Sequence, residues 1–173
     1  MTLALIVLAA ITAQRLGELI LAADNSRRLK AQGAYEVGAR HYPLMIVLHG
    51  AWLASLWAFG WSRTVSLPWL GVFVVLQALR IWVIASLGRR WTTRIIILPG
   101  ADRVTRGPYR FFPHPNYAVV VGEIAVLPLA FGLPIIAAVF SVLNAGVLWI
   151  RVRTENRALR SLNNAAISAI EEV

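Results

Sequence analysis

The amino-acid sequence predicts an all-α integral membrane protein of five transmembrane helices, the last two forming a short helical hairpin. Three observations carry that prediction. Hydrophobic residues fill 58% and charged residues 14% of the 173 positions, against roughly 45–50% apolar and about 25% charged in soluble domains. Five apolar segments stand apart along the chain, and the basic residues crowd into alternate connections between them.

A spanning helix takes about 20 mostly apolar residues. The first such run is Leu3–Ala23. No basic stretch precedes it, and Arg15 and Glu18 interrupt it, so it fits a membrane helix better than a cleaved leader. Leu44–Trp61 and Trp69–Leu87 are the second and third spans. Tyr117–Phe131 and Pro134–Ile150 are shorter and are joined at Gly132, Leu133 and Pro134, which leaves room only for an antiparallel turn. The connection from Gly88 to Pro115 is punctuated by Pro99, Gly100, Gly107, Pro108 and Pro113 and reads as a structured loop. The tail from Arg151 to Glu172, with Val152, Leu159 and Leu162 among charges, predicts a helix continuing the fifth span. Residues 1–173 form one membrane-embedded domain, with three spans in 1–87 and the loop, hairpin and tail in 88–173.

The net charge of +9 is a matter of topology. Arg27, Arg28, Lys30 and Arg40 follow the first span, and Arg89, Arg90, Arg94, Arg103, Arg106 and Arg110 follow the third. Arg151, Arg153, Arg157 and Arg160 follow the fifth, whereas Arg63 stands alone after the second. With five spans the basic segments share one face, which the positive-inside rule makes cytoplasmic, leaving the N-terminus outside and the C-terminus inside. Nucleic-acid binding is not expected, because the cations do not gather on a soluble face. Cysteine is absent, which excludes thiolate catalysis and cysteine-based zinc sites. His41, His49 and His114 are scattered, so no metal is expected.

The run Gly107-Pro108-Tyr109-Arg110-Phe111-Phe112-Pro113-His114-Pro115-Asn116-Tyr117 leads into the fourth span, and Arg151-Val152-Arg153-Thr154-Glu155-Asn156-Arg157-Ala158-Leu159 leaves the fifth. Together, around a hairpin, these resemble the signature Gly-x-Tyr-x-x-x-x-His-Pro-x-Tyr and Arg-x-x-x-Glu-x-x-x-Leu of the isoprenylcysteine carboxyl methyltransferases. The runs Leu87–Arg94 and Glu123–Gly132 further resemble the small bacterial branch that methylates alkylpyrones. Pro113 stands where the family usually has Arg, and Asn156 where many members carry a second acid.

The resemblance implies an S-adenosylmethionine-dependent O-methyltransferase in the bacterial inner membrane, with a cofactor pocket built by the cytoplasmic loop and the C-terminal helix. It implies that Tyr109, His114, Pro115, Asn116 and Tyr117 line that pocket, with Ala101, Asp102, Arg103 and Val104 contributing backbone. Glu155 would hold the cofactor, and Arg151 would be the catalytic contact to the acceptor. The residues agree, since Arg151 and Glu155 are four apart and share a helix face. A guanidinium also holds an anionic oxygen in a planar fork.

Taken singly, each residue has a structural reading: His114 as a helix cap, Tyr109 and Tyr117 as interfacial aromatics, and Arg151 with Glu155 as a surface pair. Their joint occurrence favours the cofactor site. Arg15, Glu18, Arg80 and Glu123 are expensive in lipid and must face one another, protein or water. Arg15 with Glu18 and Arg80 with Glu123 are the expected pairs, the alternative for Glu123 being contact with the acceptor. Gly122, Gly132 and Gly146 are expected at close-packed positions. The acceptor is expected to be a lipophilic small molecule drawn from the membrane lipid, an alkylpyrone or an isoprenylcysteine. The alternatives are a phospholipid methyltransferase or membrane reductase on the same scaffold, or a non-catalytic carrier or assembly subunit.

Overall fold

The computed structural model describes residues 2–171 apart from Arg103, with side chains described as far as Arg160. Helix α1 covers Thr2–Ala31, α2 Tyr42–Gly60, α3 Leu67–Leu87, α4 Pro115–Ala130 and α5 Pro134–Glu171. All but α4 are long and apolar enough to cross a membrane. The protein is thus an all-α multi-pass membrane protein. Its outer surface agrees: Ile20, Ile135 and Val142 are each more than 70% exposed, although Leu8, Leu56 and Leu127 are wholly buried. Apolar residues facing both inward and outward suit a lipid solvent.

The spans follow the sequence reading, α5 continuing into the tail as expected, with a difference at the end of α1. α1 runs on past Ala23 to Ala31, where Arg27 and Arg28 pair with Asp24 one turn earlier, at 3.3 and 2.8 Å.

The α4–α5 hairpin closes as expected. The Leu133 N–H donates to the Pro128 carbonyl at 2.9 Å and the Gly132 N–H to the Leu129 carbonyl at 3.0 Å. Gly132 takes φ 66°, the left-handed residue that a Schellman closure requires. Pro128 lies inside α4 and has no N–H to offer the carbonyl four residues back. The Trp52 indole of α2 fills that vacancy, donating to the Ile124 carbonyl at 3.2 Å. A backbone acceptor that lipid would leave unpaired is thereby satisfied. Trp52 also belongs to the main apolar core, with Leu8 and Ile11 of α1, Phe73 of α3, Leu127 of α4 and Val147 of α5.

The four ionisable residues expected to neutralise one another do so as a single cluster joining α1, α3 and α4. Arg15 reaches Glu18 and Glu123, both at 2.8 Å. Arg80 grips both oxygens of Glu18, at 2.5 and 2.7 Å, and also meets Glu123 at 2.7 Å. Gln77 donates to the second Glu123 oxygen at 2.8 Å. Two cations and two anions leave the cluster neutral, the condition for burying it.

Gly122 is a close-packed position, since a Cβ there would fall 2.8 Å from Leu76 of α3. Gly132 and Gly146 are not, because the space beside each is open; a small residue in or between apolar spans did not imply contact.

A two-stranded ribbon lies outside the sequence reading. Tyr35–Val37 (β1) pairs antiparallel with Ile95–Ile97 (β2), with Glu36 opposite Ile96. The ribbon joins the α1–α2 connection to the α3–α4 loop, and β2 lines the cavity described next.

Candidate active site

Where α5 leaves the apolar layer, its first polar turn presents Arg151 and Glu155 on one face. α4 begins at Pro115, a residue with preset helical φ and no N–H to lose at the first turn. Its first turn carries Asn116 and Tyr117 toward that face. The Gly107–Arg110 turn adds Tyr109, and β2 adds apolar wall. Between them lies a cavity of about 610 Å³.

Tyr109, His114, Asn116, Tyr117, Arg151 and Glu155 all line this one cavity, together with Ala101, Asp102 and Val104. Pro115 does not line it and is buried as the opening residue of α4. Arg103 lies outside the described residues. Glu123 is absent from the lining and is held in the charge cluster.

His114 occupies the N-cap of α4 but makes no side-chain cap bond. Its ring stacks on Tyr117 with centroids 5.4 Å apart and lies 3.3 Å from the Asn156 amide oxygen and 3.8 Å from Glu155. The Tyr117 hydroxyl donates to one carboxylate oxygen of Glu155 at 2.7 Å.

Arg151 is only 4% exposed, so it is no surface residue. One terminal nitrogen donates to the Thr93 carbonyl at 2.9 Å. Its Nε is buried with no hydrogen-bond partner among the described residues, and so is the Asn116 amide oxygen. A buried, unpaired charged donor is costly, and at a cavity wall it is what an incoming oxygen relieves. Burial, and then the nearby Glu155 charge, raise the Tyr109 pKa above its ordinary value. At neutral pH Tyr109 is therefore a phenol that donates, not a phenolate base.

The lining also has an apolar part, with Leu29, Ile95, Ile97 and Leu98, and with Leu159 one turn beyond Glu155 on α5. Sequence reasoning missed this part and Thr93. The three consecutive isoleucines inside a polar loop were a strand signal; a backbone carbonyl such as that of Thr93 leaves none.

A model of the isoprenylcysteine carboxyl methyltransferase family matches residues 69–161, just over half of the chain and all of the α4–α5 site face. An uncharacterized protein of Bacillus subtilis, YpbQ, is 38% identical over 160 residues, covering 90% of this chain and 95% of that one. An uncharacterized protein of Haemophilus influenzae is 26% identical over 164 residues, covering 91% and 95%. No solved structure matches the chain.

Proposed function

The chain belongs to the isoprenylcysteine carboxyl methyltransferase family and is a membrane methyltransferase, and from that premise we propose that it methylates an anionic oxygen of a lipophilic acceptor using S-adenosylmethionine. The oxygen is a carboxylate or an enol, as in an isoprenylcysteine or an alkylpyrone. The observation that carries this reading is the unpartnered Arg151 Nε, buried at a cavity whose lining also includes Leu29, Ile95, Ile97 and Leu98.

The donor set fits the cofactor. Glu155 is an acceptor for an ammonium or a ribose hydroxyl, and the Asn116 oxygen lacks a partner. The isoleucine and leucine wall suits a flat base. Bound there, S-adenosylmethionine would supply a methyl group on a sulfonium, taken up by the acceptor's own electron pair as the carbon–sulfur bond breaks. No proton has to be removed, so a pocket without a general base suffices.

Arg151 repels a sulfonium and is useful beside it only while holding an anionic oxygen, so it orients the acceptor. Tyr117 orients Glu155, and His114 packs against Tyr117. Catalysis then rests on proximity and alignment in a site screened from bulk water. The basic connections support a site on the cytoplasmic side, and the bacterial relatives support a bacterial membrane as its location. Titration of detergent-purified protein with S-adenosylhomocysteine tests the reading: saturable binding is expected, and its absence overturns it.

A further inference from the structure

Arg151 is held by Thr93, and Thr93 is in turn held by Tyr42, which lies in the part of the chain that the family match does not reach. The Tyr42 hydroxyl at the start of α2 lies 3.0 Å from Thr93 Oγ1. The Thr93 carbonyl accepts from Arg151 Nη2 at 2.9 Å. Tyr42 is itself held, because the Arg94 guanidinium lies 4.0 Å over its ring and Arg94 pairs with Glu36 of β1 at 2.6 Å. Lys30, at the end of α1, takes the other Glu36 oxygen at 2.9 Å.

A second, independent contact presses the same connection onto α5. A Cβ on Gly38, whose φ is 68°, would fall 2.1 Å from His41 Cε1 and 3.0 Å from Thr154 Cγ2. Thr154 lies between Arg151 and Glu155 in the turn that carries the site. The α1–α2 connection therefore leans on that turn directly at Gly38. It also reaches Arg151 through Tyr42 and Thr93.

We infer that Tyr42 and Thr93 are positioning residues for Arg151, so that the N-terminal half of the chain sets the angle at which the guanidinium meets its acceptor oxygen. The inference rests on the proposed function for its catalytic consequence and on geometry alone for the placement of Arg151. Phenylalanine at 42 keeps the ring under Arg94 and removes only the hydroxyl that faces Thr93. Valine at 93 keeps the shape and removes the same link from the other side, whereas serine keeps it. Cofactor contacts are untouched in all three.

The test uses the full-length, detergent-purified protein and two readouts. The first is the rate at which phenylglyoxal modifies Arg151, read by peptide mass spectrometry. The second is kcat and KM for methyl transfer from S-adenosylmethionine to an enolic alkylpyrone. Tyr42→Phe and Thr93→Val should each lower kcat about tenfold by misaligning the oxygen, and the double variant should fall no further than either. Modification of Arg151 should accelerate in parallel while S-adenosylhomocysteine affinity stays at the wild-type value. Thr93→Ser should recover most of what Thr93→Val loses.

Modification of Arg151 at the wild-type rate in both Tyr42→Phe and Thr93→Val overturns the inference, as does Thr93→Ser behaving like Thr93→Val. If Tyr42→Phe fails to fold, the two Thr93 variants decide alone. If the wild-type protein methylates no alkylpyrone but Arg151 still loses protection in the variants, the positioning stands and the proposed acceptor falls.

Discussion

The Tyr117 hydroxyl donates to Oε2 of Glu155 at 2.7 Å, tying the first turn of α4 to α5 one turn beyond Arg151. Tyr117→Phe leaves the carboxylate unanchored, and Glu155→Ala removes it. Glu155→Ala should weaken S-adenosylhomocysteine binding by roughly tenfold, about 1.4 kcal/mol, the scale of one charge-assisted contact. Tyr117→Phe and His114→Ala should weaken it less. Isothermal titration measures all three, with thermal unfolding confirming that each variant is folded. Wild-type affinity in Glu155→Ala and His114→Ala would return both residues to structural roles.

Arg151 is assigned to the acceptor, so its loss should show in turnover and not in cofactor binding. Arg151→Ala should cost on the order of 2 kcal/mol of transition-state stabilisation. Arg151→Lys keeps the charge without the planar fork and should be impaired to a smaller degree. Methyl-transfer rates and S-adenosylhomocysteine affinity are to be measured on the same preparations. A parallel loss of both in Arg151→Ala would move Arg151 into the cofactor site.

The charge cluster of α1, α3 and α4 predicts a stability effect that depends on balance and not on any one residue. Arg80→Met leaves Glu18 and Glu123 facing a single cation, and should destabilise by about 3–5 kcal/mol, as breaking a buried pair does. Adding Glu18→Gln restores neutrality around Arg15 and Glu123 and should recover much of the loss. Unfolding in mixed micelles reads both, and a double variant no more stable than the single one would show that charge balance is not what the cluster supplies.

Glu36 gives the protein a pH-dependent component of stability. Burial alone would raise its pKa, but the hydrogen bonds and charges of Lys30 and Arg94 outweigh that and leave it below the ordinary value of 4.5. The unfolded chain thus binds the proton more readily. The contribution is complete above the unfolded pKa and disappears as pH falls through the lower, folded one. Melting temperature should fall less across that acidic window in Glu36→Gln than in the wild type. Equal slopes would show that the β1–β2 clasp does not report on Glu36.

Much of this architecture was legible in the sequence because lipid enforces simple rules. Long apolar runs became helices, the Gly132–Pro134 break became a tight turn, and Arg80 found Glu123 because neither could face hydrocarbon. Arg151 and Glu155 shared a face because four residues make about one helical turn. What escaped notice was non-local or lodged in the backbone. β1 and β2 have three residues each, too few for an alternating pattern, and their partners lie far apart in the chain. The carbonyl of Thr93 that holds Arg151 has no residue-type signature. Gly146 showed the converse failure, in that a small residue in a span need not touch anything.

α5 is a single 38-residue helix, about 57 Å long at 1.5 Å per residue, and so nearly twice the ~30 Å hydrocarbon layer. Its first half is the apolar span and ends at Arg151, Glu155 follows one turn beyond, and no hinge lies between span and site to absorb movement. A helix that tilts to match a thinner bilayer must swing those two side chains against β2 and the Thr93 carbonyl. The protein is in this sense a lever with its fulcrum at the membrane surface. Its turnover in reconstituted vesicles should carry an optimum in acyl-chain length even where the acceptor is held constant.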